Sequence, residues 1–124
     1  MKKIYHLSTC NTCKRIIDTL QLPGDFEMQD IKSQPLTVKQ LETLHARAGS
    51  YEALFSKRAK LYQERDLKNE NLSEDDYKLL LLEHYTFLKR PVLVIGDNIY
   101  IGNAKSEVEK AKKAVAQLYG ELNI

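Results

Sequence analysis

The chain has 124 residues, of which 43% are hydrophobic and 29% charged, and its 19 Lys and Arg nearly balance its 17 Asp and Glu. This composition is typical of one globular domain and excludes a disordered, collagen-like or low-complexity chain. A net charge of +2 gives no reason to expect direct binding of nucleic acid or of a membrane surface, and no apolar run approaches the roughly 20 residues of a membrane-spanning helix.

The opening of the chain predicts a strand, a helix and a second strand. Residues 3–7 form a short apolar and aromatic run typical of a strand, and apolar residues recur at helical spacing over 16–20. A turn at 23–25 leads into a second strand over 26–31, where apolar and polar residues alternate. Because a crossover of this kind is right-handed, we expect the two strands to be parallel.

The middle of the chain, residues 37–87, predicts a helical insertion. Residues 37–40, Thr-Val-Lys-Gln, form a capping box that starts a helix, and Gly49 ends it. Three further helical pieces are predicted, two short ones and one with an acidic start: 51–55, 61–62 and 73–84. Because the leucine run 79–82 is more apolar than a surface helix requires, we expect the last of these helices to lie between neighbours.

The end of the chain predicts a β-hairpin and a terminal helix. The β-branched run 92–95 is typical of a buried central strand, and a turn at 96–98 returns the chain into a strand over 99–101. Residues 106–109, Ser-Glu-Val-Glu, form a second predicted capping box, and we expect its helix to end at Gly120.

This order of elements is that of a thioredoxin-like fold. We therefore predict an α/β fold with a mixed four-stranded sheet, made from a βαβ unit followed by a β-hairpin and a terminal helix, with the helical insertion between the halves. The whole chain, 1–124, is predicted to be one domain. Its thioredoxin-like core takes about 1–36 and 88–124, and the insertion about 37–87.

Two cysteines, Cys10 and Cys13, form a C-x-x-C motif at the first strand-to-helix corner. Two cysteines cannot build a disulfide framework, and a zinc site would have to gather histidines from separate segments, so we expect no metal. A thiol at a helix N-terminus faces free backbone N–H groups and the positive end of the helix dipole, which lower its pKa. Thiol chemistry is therefore favoured over the alternative that both are small buried apolar residues.

The motif assigns a role to each thiol. Cys10, at the cap, is predicted to attack, and Cys13, one turn later and less exposed, to resolve a mixed disulfide or a sulfenic acid. The hydroxyl and N–H of Thr12 would face an anion held at the helix start. Arg90 would project toward the same corner, and Arg58 in the insertion is a second candidate. Each arginine alone is commonly a solvated surface charge, but two together would bind a small oxyanion or a carboxylate.

Residues 5–14, Tyr-His-Leu-Ser-Thr-Cys-Asn-Thr-Cys-Lys, together with 90–94, Arg-Pro-Val-Leu-Val, resemble the ArsC/Spx family of arsenate reductase-like proteins. The resemblance covers nearly the whole chain. It implies that Cys10 is the catalytic cysteine and that His6, four residues earlier, supports it. It also implies that Pro91 follows a cis peptide bond and lies against the motif, although a strand-initiating proline is common.

In arsenate reductases of this type the cysteine attacks arsenate, arginines hold the oxyanion, and glutathione or glutaredoxin supplies electrons. Arg90 matches one of those arginines, whereas Arg58 fits the Ser-x-Arg pattern of Spx proteins better. No arginine follows Arg90, so the third arginine expected near 101–104 is missing, and Cys13 stands where the glutathione-dependent enzymes lack a cysteine. These departures weaken arsenate as the substrate and favour dithiol/disulfide chemistry.

Two functions from different classes follow. The favoured one is an oxidoreductase without a bound cofactor, which acts on a small oxyanion or a thiol/disulfide, with glutathione/glutaredoxin or thioredoxin as electron donor. The alternative is an Spx-like redox-sensing transcriptional regulator that binds RNA polymerase, at the C-terminal domain of its α chain, near Gly49, a residue that a helix C-cap explains equally well. A family member of unassigned role also fits. We expect a cytoplasmic protein, because the apolar stretch 4–7 is too short for a signal-peptide core.

Overall fold

A computed structural model describes residues 1–122 of the chain, with side chains as far as Gly120. The chain forms two compact units, one made of Met1–Lys32 together with the chain from Arg90 onward, the other of Ser33–Lys89. The helices and strands follow in this order: β1 (Lys2–His6), α1 (Asn11–Leu20), β2 (Glu27–Asp30), α2 (Val38–Ala48), α3 (Lys60–Glu64), α4 (Glu74–Glu83), β3 (Val92–Ile95), β4 (Asn98–Ile101) and α5 (Lys105–Leu122). Short 3-10 helices occupy Glu52–Leu54, Leu67–Asn69 and Tyr85–Phe87.

The first unit contains a four-stranded sheet in the order β2–β1–β3–β4. Strand β1 pairs with β2 in parallel and with β3 antiparallel, and β3 pairs antiparallel with β4. The predicted mixed α/β sheet is therefore confirmed. The β-branched strand β3 lies inside the sheet as predicted, with Val92 and Val94 fully buried, because strands flank it on both sides.

Helices α1 and α5 pack on this sheet through a single apolar cluster. Ile4 and Leu93 lie opposite each other on β1 and β3, so both side chains point to the same face. The cluster is completed by two side chains from each helix: Ile16, Leu20, Ala111 and Val115. Helix α1 is therefore fixed against the strands, and the residues at its start are held in place by the core.

The beginning of α5 differs from the prediction. The helix starts at Lys105, so the predicted capping box at 106–109 lies within its first turns rather than before them. The Glu107 carboxylate instead accepts a hydrogen bond from the backbone N–H of Ile101 at 2.9 Å. The predicted stop at Gly120 is also wrong, since the helix continues to Leu122.

The second unit contains the predicted helical insertion. Helix α2 is capped as its sequence predicts: the Thr37 hydroxyl accepts from the Gln40 N–H at 3.1 Å, and the Gln40 side chain accepts from the Thr37 N–H at 3.1 Å. Gly49 closes the helix with φ 89°, a left-handed conformation that glycine adopts without steric cost.

An aromatic cluster forms the core of the second unit. The Phe55 ring stacks on Phe87 at 5.2 Å between centroids and meets the edge of Tyr77 at 4.9 Å. The Ser56 N–H donates to the Phe87 carbonyl at 2.7 Å. These contacts fix the start of the exposed turn that carries Arg58.

The expectation that α4 lies between neighbours is wrong. Tyr77 and Leu81, four residues apart, share the inward face and are 8% and 3% exposed, whereas Leu79 on the other face is 65% exposed. The helix therefore buries one face only, and His84 caps its end instead of continuing it. None of the helices in the described residues has both the length and the hydropathy needed to cross a membrane.

The capping box of α2 gives a test of local stability. We expect Thr37→Ala to lower the free energy of unfolding by about 1 kcal/mol, because the Gln40 N–H loses its side-chain acceptor. The measurement is urea unfolding followed by far-UV circular dichroism. Thr37→Ser keeps the hydroxyl and serves as the control; an equal loss in both variants would show that the cap is not the cause.

Candidate functional site

The chain makes a sharp turn between the end of β1 and the start of α1. The Cys10 N–H donates to the Leu7 carbonyl at 3.0 Å and closes a four-residue turn. Cys10 is the N-cap of α1, with an extended backbone (φ −94°, ψ 113°), and its carbonyl accepts from the Lys14 N–H at 3.1 Å. The Cys10 side chain therefore stands at the helix start, where the first N–H groups have no acceptor within the helix.

Cys13 lies one turn further along α1, in a different environment. It is 0% exposed, whereas Cys10 is partly exposed, and both are free thiols. Burial raises the pKa of the Cys13 thiol to about 11, and the negative charge of the neighbouring Cys10 thiolate adds to the rise. The Leu7 N–H, which faces the Cys13 sulfur, and the charge of Arg90 act in the opposite direction. Cys13 therefore keeps its proton at neutral pH.

The pKa of the Cys10 thiol is shifted in the opposite direction, downward. Partial burial acts to raise its pKa, but the Cys13 backbone N–H and thiol both stabilise the Cys10 thiolate, as do a hydrogen bond and the positive charge from Arg90. Together these contacts hold the pKa of Cys10 below that of a free thiol. Of the two thiols, Cys10 is therefore the one that ionises more easily, and the ionised form is the nucleophilic one.

Arg90 reaches this corner from the segment before β3. Its peptide bond to Pro91 is cis, the isomer that the resemblance implies. The Pro91 carbonyl accepts from the Gly102 N–H at 2.8 Å, which ties the segment to the end of β4. The Arg90 side chain is half-buried, with its Nε shielded from solvent, and its guanidinium contacts Cys10. The structure thus brings Arg90 together with Cys10 and Cys13.

The other predicted site residues fall in three places. Thr12 lies in the first turn of α1 and is half-buried, on the same turn as the two thiols. His6 is the last residue of β1, and its charge acts on Asp30 of the neighbouring strand. Arg58 belongs to the second unit, in the exposed turn before α3. Its role in anion binding stays a prediction.

The sequence analysis missed Asp30, the last residue of β2. Its carboxylate accepts hydrogen bonds from the Ser8 hydroxyl at 2.6 Å, the Ser8 N–H at 3.4 Å and the Lys32 N–H at 3.2 Å. The Ser8 hydroxyl is the main cause of a lowered pKa of Asp30. A signal was present: parallel strands end at the same edge of a sheet, and Ser8 follows β1 closely just as Asp30 ends β2.

The corner brings together side chains that are suited to thiol chemistry. Among the residues with described positions, no three His, Cys, Asp or Glu side chains form a group that could hold a metal ion. The corner offers one thiol with a lowered pKa, one protonated thiol one helical turn away, and a guanidinium beside the first of them. Two neighbouring thiols with different pKa values and a positive charge are therefore present together.

Known proteins are similar to this chain in sequence and in fold. The sequence profile of the ArsC family matches residues 5–111. Global transcriptional regulator Spx 2 of Bacillus anthracis is 26% identical over 113 residues, which cover 89% of this chain and 86% of that protein. A Staphylococcus aureus COL protein of known solution structure is 32% identical, with a TM-score of 0.72 and coverage of 89% and 97%. Arsenate reductase from Vibrio cholerae is 22% identical, with a TM-score of 0.73 and coverage of 89% and 96%. The predicted thioredoxin-like fold is confirmed.

The contact between Arg90 and Cys10 predicts a measurable pH dependence. In the wild type, alkylation of Cys10 by iodoacetamide should rise with pH around a midpoint below that of a free thiol, because the thiolate is the reactive form. We expect Arg90→Gln to move this midpoint upward by about 1–3 units, since a nearby cation stabilises the thiolate by that order. Peptide mass spectrometry separates the Cys10 and Cys13 adducts.

Lys14→Gln is the matched control for this experiment. Lys14 is a cation on the same helix turn but is exposed, and exposed charges are largely screened by solvent and salt. The midpoint of Cys10 alkylation in Lys14→Gln should stay close to that of the wild type. Equal midpoints for the wild type and Arg90→Gln would show that Arg90 does not stabilise the thiolate.

Proposed function

The chain belongs to the ArsC family, and from that premise we propose that it is a thiol-dependent oxidoreductase of the cytoplasm that works through Cys10 and Cys13. One observation carries the proposal: the two thiols of a single helical turn have opposite pKa shifts, and the thiol with the lowered pKa contacts Arg90. A thiolate paired with a nearby protonated thiol is the arrangement that thiol–disulfide exchange requires.

The first step forms a mixed disulfide. The Cys10 thiolate attacks one sulfur of a substrate disulfide, the substrate S–S bond breaks, and the second substrate sulfur leaves as a thiolate. Arg90 stabilises the negative charge on Cys10 before the attack and lies beside the charge that develops during it. No net oxidation has occurred at this stage, because one disulfide has replaced another.

The second step depends on the electrostatic effect of Cys10 on the pKa of Cys13. Once Cys10 is bonded to the substrate it carries no charge, so the part of the rise in the Cys13 pKa that comes from the Cys10 thiolate disappears. Cys13 then attacks the Cys10 sulfur, its proton passes to the departing substrate sulfur, and the remaining half of the substrate leaves as a thiol. The substrate gains two electrons and the protein is left with a Cys10–Cys13 disulfide. A dithiol donor of the glutaredoxin or thioredoxin class would reduce it again.

The site supports a thiol/disulfide substrate more strongly than an oxyanion. Arg90 is the cation in contact with Cys10, and no arginine follows Arg90 in the sequence. Each lost charge-assisted contact to an oxyanion would cost about 1.5–3 kcal/mol. Arsenate is therefore the weaker of the two substrate classes for this chain.

A second candidate function is redox-sensing regulation through RNA polymerase, at the C-terminal domain of its α chain. The similarity to a curated transcriptional regulator over 89% of the chain favours it. Gly49, near which the resemblance places the polymerase contact, is exposed, and apart from the adjoining chain no described atom lies within 4 Å of where a Cβ would stand. Its φ of 89° and its N–H bond to the His45 carbonyl at 2.9 Å already account for a glycine there. The oxidoreductase remains the favoured proposal.

Oxidation with diamide tests the cysteine pair directly. We expect the wild type to form one intramolecular disulfide and to lose both alkylatable thiols, because both sulfurs lie on one helical turn. Cys13→Ser should instead accumulate mixed or intermolecular disulfides at Cys10, since the resolving thiol is gone. The measurement is intact-mass spectrometry after alkylation. Two alkylatable thiols remaining in the oxidised wild type would contradict the proposal.

Two assays on the same preparation separate the candidate functions. The first follows NADPH oxidation coupled through glutaredoxin or thioredoxin, with a low-molecular-weight disulfide or arsenate as substrate; the second measures binding to the purified C-terminal domain of the polymerase α chain. We expect turnover of the disulfide that falls to background in Cys10→Ser and weak or no turnover of arsenate. Binding to the polymerase domain without turnover of either substrate would support the regulator instead.

A further inference from the structure

We propose that Asp30 is a positioning residue for the cysteine pair: it acts through Ser8 and holds the turn that places Cys10 at the start of α1. The inference rests on the proposed thiol function and adds a residue outside the C-x-x-C motif to it. Asp30 acts on the two thiols indirectly, because it fixes the backbone of residues 7–10 through Ser8.

The turn at residues 7–10 connects the two thiols. Its first residue, Leu7, accepts the Cys10 N–H through its carbonyl at 3.0 Å, and the Leu7 N–H faces the Cys13 sulfur. Its last residue, Cys10, is the helix cap. A shift of this turn would therefore change the surroundings of both sulfurs at once.

Ser8 is the second residue of the turn, and Asp30 holds it at two points. One carboxylate oxygen accepts the Ser8 hydroxyl at 2.6 Å, and the other accepts the Ser8 N–H at 3.4 Å and the Lys32 N–H at 3.2 Å. Asp30 is itself fixed by the sheet, since it is paired with His6 at the end of the parallel ladder, and the next N–H, that of Ile31, donates to the His6 carbonyl at 2.9 Å. The exposed turn is thus attached to a rigid strand.

The position of this turn matters because the Cys10 thiolate is stabilised by short-range contacts. Its partners are the Cys13 N–H and thiol and the Arg90 guanidinium, and interactions of this kind weaken quickly as distance and misalignment increase. A loosened turn would lose part of this stabilisation. The expected result is a higher Cys10 pKa and slower alkylation at neutral pH.

A direct effect of the Asp30 charge has the opposite sign. A carboxylate near a thiolate disfavours the thiolate, so removal of the charge alone would lower the Cys10 pKa. His6 is a titratable group that also acts on Asp30. The two explanations can therefore be separated by variants that remove the anchor, the charge or both.

The experiment measures the pH profile of Cys10 alkylation in the full chain, with peptide mass spectrometry as the readout. We expect Ser8→Ala to slow the reaction at neutral pH by about fivefold and to move the midpoint upward, the size expected for one lost hydrogen bond. Ser8→Thr keeps the hydroxyl and should restore the wild-type profile. Thr9→Ala, in the same turn, is the matched control and should leave the profile unchanged.

A double-mutant cycle tests whether Asp30 acts through Ser8. Ser8→Ala should have its effect in the wild-type background and no further effect in Asp30→Ala, because the anchor is already lost there. Equal effects of Ser8→Ala in both backgrounds would overturn the inference, as would a wild-type profile for Ser8→Ala. Far-UV circular dichroism and urea midpoints identify any variant that fails to fold, and Asp30→Val, which suits a strand and offers Ser8 no acceptor, then replaces Asp30→Ala. Asp30→Asn keeps an acceptor oxygen for the Ser8 hydroxyl and therefore removes the charge alone.

The wild-type profile in the same experiment separates this inference from the proposed function. A wild-type Cys10 midpoint at or above that of a free thiol would contradict the thiol mechanism itself. A lowered wild-type midpoint with no response to Ser8→Ala would leave the mechanism standing and reject only the role of Asp30.

Discussion

Cys10 and Cys13 lie on one helical turn, but their pKa values are shifted in opposite directions. The thiol chemistry proposed for this chain depends on that difference. Cys13 is buried in the core, which disfavours its thiolate and raises its pKa. Cys10 contacts the backbone N–H of Cys13 and the guanidinium of Arg90, which stabilise its thiolate. The difference arises from position alone, because the two side chains are chemically identical. Packing of α1 against the sheet therefore sets the chemistry as well as the stability of this corner.

The topology of the sheet explains how Arg90 comes to this corner from far along the chain. Strands β1 and β3 are antiparallel neighbours, with Tyr5 opposite Val92, so the start of β3 lies beside the end of β1. The parallel neighbour β2 brings its last residue, Asp30, to the same edge from the other side. The ends of three strands thus bring a thiol, a cation and a carboxylate to one edge of the sheet.

The features predictable from the sequence were those that local patterns determine. The strand and helix order, the parallel first pair and the caps of α2 depend on side chains a few residues apart. The features that the sequence did not predict depend on tertiary contacts. At the start of α5, Glu107 accepts a hydrogen bond from the Ile101 N–H instead of completing a capping box. Leu79 is exposed because it lies on the face of α4 that does not pack against the unit. The predicted parallel pair indicates that Ser8 and Asp30 lie at the same sheet edge, but their hydrogen bonds depend on the strand register.

The left-handed backbone at Gly102 limits how this corner could be redesigned. With φ 88° and its N–H on the Pro91 carbonyl, this residue lies in the stretch where the ArsC resemblance places a further guanidinium. A larger side chain there would strain the backbone by about 1–2 kcal/mol. An engineer who wished to convert the chain into an oxyanion receptor would do better at Asn103 or Ala104, which are exposed to solvent.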